Sequence, residues 1–245
     1  MRQIAIMVLA ILTNAVQAQK NLKPGSMSFE SRWMKDQTYR MKWLSMQDST
    51  ALEIGEVTTQ ITSDKKRLTS ITQVALNNAK ATWIDTTIAE IHSLKPVYHS
   101  SYNGQRDMAL HFGKIVTGFY NDKIKQRRLA ISDTTTEDYF DSNFYPTLIG
   151  WLPLKDGYSQ NVSIYDYNPS GKKGVIKAQI KYVSSGIYET NKSGPRAVWV
   201  VVVSDEISGG ENNHVVYYFD KVDRRLWRQE MSVGGRKMMM VLIEQ

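Results

Sequence analysis

Cysteine is absent from all 245 positions. That excludes disulfides, the CxxC pairs of zinc sites and the lipidated cysteine of a bacterial lipoprotein. No GxSxG elbow, Walker loop, dinucleotide fingerprint or HExxH helix occurs. Only four histidines are present, His92, His99, His111 and His214, and none sits one helical turn from another. His99 and His111 are placed to meet across a hairpin through "NGQR" at most, so no metal site is expected. Low-complexity blocks, fixed-period repeats and recognised nucleic-acid-binding modules are missing as well. Beyond the first residues, no stretch is apolar for the roughly 20 positions that a membrane-spanning helix needs.

What the chain does have begins with "MRQIAIMVLAILTNAVQAQK". One cation at Arg2, an apolar run from Ile4 to Leu12 and small residues at Val16 and Ala18 have the form of a secretory leader. Cleavage is expected after Ala18, giving a soluble, non-lipidated product in the periplasm or outside the cell. Its stability must then come from a core rather than from disulfides, and its length permits one. Loss of Arg2 lowers the net charge from +7 to +6. That excess suits anionic membrane surfaces or anionic partners.

The organisation expected is residues 1–18 as leader, 19–35 as an N-terminal extension and 36–245 as one β domain. "QTYRMKWLSM" alternates, with Tyr39, Met41 and Trp43 on one face and Arg40 and Lys42 on the other. "TALEIGEVTTQIT" and "KRLTSITQVAL" flank the turn "SDKK". "DMALHFGKIVTGFY" and "IKQRRLAIS" flank "NDK". The last third runs "KGVIKAQIKYVSSGIYET", "RAVWVVVVSDEIS", "HVVYYFDKV", "RLWRQEMSV" and "RKMMMVLIEQ", all rich in β-branched and aromatic residues and separated by turn sequences. The pattern predicts a mainly β fold: one strongly curved antiparallel sheet of about ten to twelve strands, a barrel or half-barrel. A membrane barrel fits less well. "KIKQRRL" carries four cations in seven residues, and the chain ends on polar "EQ".

One stretch breaks the alternation. In "YFDSNFYPTLIGWLPLKDGY", Phe140, Phe144, Leu148 and Leu152 recur every four residues, which predicts a short helix within 141–152. Asp141 or Asn143 is expected to cap it, and Pro146 is tolerable only in its first turn. The helix must pack against the concave face or open end of the sheet. Tyr145 and Trp151 are then expected at the rim of any ligand site, with Trp43, Trp199 and Trp227 lining the sheet.

Three short matches imitate the motifs of penicillin-binding serine enzymes: Ser63–Lys66 as SxxK, Ser159–Asn161 as SxN and Lys192–Gly194 as KSG. That chemistry needs the serine and lysine one turn apart on a buried helix, whereas "TSDKKRL" lies between two strands. Asp138 and Asp141 are the best placed carboxylates for paired acid–base work. The expectation is no catalytic residue, no cofactor and no metal.

The succession of "SLKPVYHSSYNGQRDMALHFGKIVTGFYND", "FDSNFYPTLIGWLPLKDGY" and "VWVVVVSDE" with "VVYYFDKVDRRLWRQEM" resembles the exported bacterial proteins of domain-of-unknown-function family 3108, from about Asp36 to the C-terminus. The resemblance implies a strongly curved antiparallel sheet around a short helical segment, similar in outline to periplasmic lipoprotein carriers. It carries over no catalytic residue. The chain departs from those carriers in having no membrane-inserting loop. The functional expectation is a soluble carrier-like binding protein with an apolar concave face for a lipid, a lipidated protein or another hydrophobic partner. The alternatives are an envelope scaffold that binds proteins through an edge strand or the basic stretch Lys123–Arg128, and a periplasmic hydrolase.

Overall fold

A computed structural model of the protein describes residues 21–26, 28–48, 50–207 and 213–244. The expected leader lies outside them. Fifteen strands follow in chain order. The first eight are β1 (Gln37–Gln47), β2 (Thr50–Ser63), β3 (Arg67–Leu76), β4 (Trp83–Glu90), β5 (Pro96–Tyr102), β6 (Arg106–His111), β7 (Ile115–Asp122) and β8 (Arg127–Thr134). A two-residue strand β9 (Phe140–Asp141) and the helix α1 (Tyr145–Gly150) come next. The last six are β10 (Gln160–Tyr167), β11 (Lys173–Glu189), β12 (Pro195–Asp205), β13 (His214–Asp220), β14 (Leu226–Val233) and β15 (Arg236–Leu242).

All fifteen form one sheet, in the order β8-β7-β6-β5-β4-β3-β2-β1-β15-β14-β13-β12-β11-β10-β9. Two meanders run outward from the central β1–β15 pair, where Met41 faces Leu242. "SDKK" turns the chain between β2 and β3 as expected. "DMALHFGKIVTGFY" is two strands rather than one, because the chain reverses at Phe112–Lys114, and this helps raise the count above the ten to twelve expected. At β7, a side chain on Gly118 would run into the Ala109 carbonyl, so only glycine allows β6 and β7 to approach this closely.

One junction departs from the antiparallel expectation. β9 pairs parallel with β10, Phe140 beside Ile164. Parallel neighbours need a crossover connection, and α1 supplies it. The helix thus sits over the sheet because it links two strands that point the same way. Phe144 is its N-cap and makes no side-chain capping bond, so neither Asp141 nor Asn143 caps it; Pro146 occupies the first turn, as expected.

The sheet does not close, since β8 and β9 end it without pairing to each other. It rolls up like a scroll. Val162 and Ile164 of β10 face the main core, with Ile61, Leu68, Ala89, Leu94, Val201, Val203, Tyr217, Phe219 and the stripe Phe140, Phe144, Leu148 and Leu152. Tyr165, on the other face of β10, packs with Met108, Leu110, Val116 and Ile131. Strands β6–β8 therefore lap over the back of β9 and β10, and the Tyr165 hydroxyl donates to Asp133 of β8 at 3.0 Å. The extension crosses this base. Leu22 bridges to Val162, Phe29 meets Phe140 edge-on at 5.6 Å, and the Glu30 N–H donates to the Trp151 carbonyl at 2.8 Å.

Candidate functional site

The inward face of β1–β5 is mixed. Register places Tyr39 opposite Thr59, Thr59 opposite Thr72, Ser70 opposite Thr87, and Thr87 opposite His99. A polar band therefore crosses a face that also carries Met41, Val57, Ile61, Leu68 and Val74. Helix α1 docks on one part of it. Gly150 lets the helix lie flush: a Cβ there would come within 2.9 Å of the Phe219 ring. Among the described residues, one cavity lies beside the helix and another farther along β3 at the rim of the sheet.

The inner cavity, about 200 Å3, lies between α1 and strands β1–β3 and β13–β15. Met41, Val57, Trp151, Phe219, Leu226 and Met240 make its apolar wall, and Arg224 reaches it from the β13–β14 turn. The Arg224 side chain is only 7 % exposed, and its one carboxylate partner among the described residues, Glu30, stands 3.4 Å away. Burial pulls the Arg224 pKa below the ordinary arginine value, and the Glu30 charge opposes that.

The mouth cavity is larger, about 550 Å3, and opens at the rim formed by residues 76–81 and 103–105. Val74, Leu76, Ala81, Trp83 and Tyr120 line it, with Lys80 and Arg106 as its cations. Thr72 lines the inner cavity and Val74 the mouth, two residues apart on the same face of β3.

Where the scroll overlaps, a polar cluster is buried. His99 Nδ1 lies 2.9 Å from both Asp141 oxygens, Thr87 donates its hydroxyl to Asp141, and the Asn143 N–H donates to Asp141 Oδ1 at 3.1 Å. Burial by itself would lower the His99 pKa, but the charge and hydrogen bond of Asp141, aided by Asp85 and opposed by Arg106, carry it above the ordinary histidine value. Folding therefore takes up a proton between the unfolded and folded pKa values. The stabilisation is complete below about pH 6.5 and is lost as pH rises through the folded value. Urea midpoints across this range should show the difference between the parent protein and His99→Gln shrinking with rising pH. A constant difference would mean that His99 does not titrate in this way.

The five expected ligand residues are not gathered at one site. Trp151 lines the inner cavity. Tyr145 is buried rather than at a rim, and its hydroxyl donates to Asp205 at 2.5 Å; burial, with Tyr217 and Asp205 beside it, pushes its pKa well above the tyrosine range. Trp199 is half-buried under Lys221, whose Nζ lies 3.9 Å from the ring centre. Trp227 packs in a separate cluster with Val198 and donates to Asp220 at 2.9 Å. Trp43 sits half-buried opposite a β-bulge in β2, where Ile54 is the extra residue. Trp83, Arg224 and Asn143 were missed, because tryptophan in an alternating strand, arginine in "DRR" and asparagine before a helix each read locally as ordinary strand, turn and cap.

The imitated serine motifs are surface staples. Ser63 donates to Asp36 at 2.7 Å, Ser159 to the Ile180 carbonyl at 3.0 Å, and Ser193 to Glu244 at 2.5 Å. Asp138 is exposed and Asp141 buried, so they do not form a carboxylate pair. His111 pairs with Tyr98, one residue out of step with His99, and faces the opposite side of the sheet. Among the described residues no group of histidine, aspartate and glutamate is arranged to hold a metal, and no helix is long and apolar enough to cross a membrane. In the Lys123–Arg128 stretch, Lys123 pairs with Asp107 at 2.6 Å and Arg128 stacks on Phe119 at 4.4 Å.

No curated protein and no solved structure matches the chain. A family profile, described as Protein of unknown function (DUF3108), matches residues 38–241, most of the chain and every strand of both meanders. The chain belongs to that family.

Proposed function

We propose that this is an exported, carrier-like binding protein of the bacterial periplasm, which takes the apolar part of a lipid or lipidated protein at the mouth of its concave face. The mouth cavity carries this reading. Its volume of about 550 Å3 falls within the roughly 300–1,000 Å3 of small-molecule sites. Its walls are mainly aliphatic and aromatic, and Lys80 and Arg106 would favour an anionic headgroup. The leader sequence supports the location.

Native mass spectrometry of the protein purified from its own periplasm, followed by organic extraction, should release a lipid. Trp83→Ala should weaken the binding of a fluorescent acyl probe by about tenfold, as loss of an aromatic anchor does. An empty protein together with unchanged probe binding in the variant would overturn the reading. The scaffold reading draws on a different observation: β8 is an unpaired edge strand bearing Arg127 and Arg128, and Ile124 in the turn before it is 73 % exposed. An empty chain that copurifies with a protein, and loses it on Ile124→Asp, would favour that alternative.

A further inference from the structure

Two turns of the fold share one geometry but carry opposite side chains. In the β4–β5 turn, Leu94 adopts φ 58°, its N–H donates to the Glu90 carbonyl at 2.8 Å, and the Glu90 N–H donates to the Lys95 carbonyl at 2.9 Å. In the β13–β14 turn, Arg224 adopts φ 63°, its N–H donates to the Asp220 carbonyl at 3.1 Å, and the Asp220 N–H donates to the Arg225 carbonyl at 2.8 Å. A β-bulge follows each turn, with Val97 of β5 and Trp227 of β14 as the extra residues. The left-handed residue sends its side chain inward in both. Leu94 is 2 % exposed within the main core. Arg224 places a guanidinium where its counterpart places an isobutyl group.

That guanidinium is poorly matched. Among the described residues, its Nε and Nη1 are buried without an acceptor. Glu30 reaches only Nη2, at 3.4 Å, and is itself shared with Arg32 at 2.6 Å and Trp33 Nε1 at 2.8 Å. The Trp33 and Trp199 rings flank the group at 5.1 and 6.0 Å and supply only ring faces. A buried donor left without an acceptor destabilises the fold, more so when it is charged. Such a cost at a position that accepts leucine elsewhere in the same fold points to a ligand that supplies the acceptor.

We propose that Arg224 is the oxyanion-binding residue of the inner cavity, and that the cavity takes a small amphiphile with a carboxylate or phosphate head and an apolar body. The apolar body follows from Met41, Val57, Trp151, Phe219 and Leu226, which share the lining with the polar Tyr39, Thr59, Ser70, Thr72 and Gln229. Its size follows from the volume of about 200 Å3, somewhat above the roughly 150 Å3 that holds benzene. Glu30, which does not line the cavity, holds the guanidinium as an internal, imperfect substitute for the head. This deepens the concave-face reading, on which it rests for the apolar body alone.

Calorimetric titration of the whole mature protein with octanoate, octyl phosphate and octanol tests it. Octanoate or octyl phosphate should bind at least about tenfold tighter than octanol, the difference expected for a charged hydrogen bond. The tighter of the two identifies the head. Arg224→Leu keeps a side chain that the equivalent turn already accepts; it should stay folded, lose the preference for the anions and retain octanol. Glu30→Gln should tighten anion binding by removing the competing carboxylate. Anions and octanol binding alike, or Arg224→Leu keeping the preference, would overturn the assignment while leaving an apolar concave site intact. Failure of all three probes to bind would overturn both the assignment and any role of the inner cavity, leaving the mouth cavity to the acyl-probe experiment.

Discussion

Asp141→Ala is expected to destabilise the protein by about 3–5 kcal/mol, the cost of leaving a buried charge without its partner. Asp141 is 2 % exposed and takes His99, Thr87 and the Asn143 N–H onto one carboxylate. These partners come from β5, β4 and the segment leading into α1, so the carboxylate fastens β9 to the lapped-over part of the sheet. Its loss strands the His99 imidazolium between two layers and removes acceptors that water cannot replace without opening the overlap. Asp141→Asn keeps an acceptor and should cost less. Chemical denaturation of the two variants against the parent measures both. A loss below about 1 kcal/mol for the alanine variant, in the range of an exposed ion pair, would show that the pair does not hold the scroll together.

The strands were legible because each is decided locally. "SDKK" turns where its residues favour a turn, and the C-terminal strands begin and end within a few residues of their alternation. The burial of the stripe Phe140, Phe144, Leu148 and Leu152 was legible too, but not its form: Phe140 lies in β9, Phe144 is the N-cap, Leu152 follows the helix, and only Leu148 falls within α1. What depends on the roll of the sheet was not legible. Tyr145 lies off that stripe and so reads as a rim residue, yet the helix is covered on more than one side and Tyr145 meets Asp205, 60 positions away. Asp141 reads as a cap because its local neighbours invite one, whereas its partners His99 and Thr87 lie 42 and 54 positions earlier. Arg224 reads as a solvated turn cation, and only its left-handed backbone turns it inward. The parallel β9–β10 junction has no local signature, since two residues of strand carry no period.

Phe144→Ala is expected to cost about 3–5 kcal/mol, the range for removing a buried phenylalanine side chain. The substitution tests whether the helix is structural filling or a removable plug. Backbone bonds at this position persist in the variant: the Phe144 N–H donates to the Asp141 carbonyl, and the Phe144 carbonyl accepts from Thr147 and Leu148. Phe144 makes no side-chain capping bond for alanine to lose, so the loss reports packing. The packing in question is an edge-on contact with Trp151 at 5.6 Å inside the main core. Because Trp151 also lines the inner cavity, the space vacated by the ring adjoins that cavity's wall, and benzene should recover part of the lost stability by filling it. Gly150→Ala attacks the same dock from the opposite direction. Its methyl group would press on Phe219 and should cost about 1–3 kcal/mol as overpacking. If denaturation instead shows both variants within about 0.5 kcal/mol of the parent, as for surface substitutions, the helix is not packed against the sheet. The concave face would then be one open cleft, and the division into an inner cavity and a mouth would fall with it.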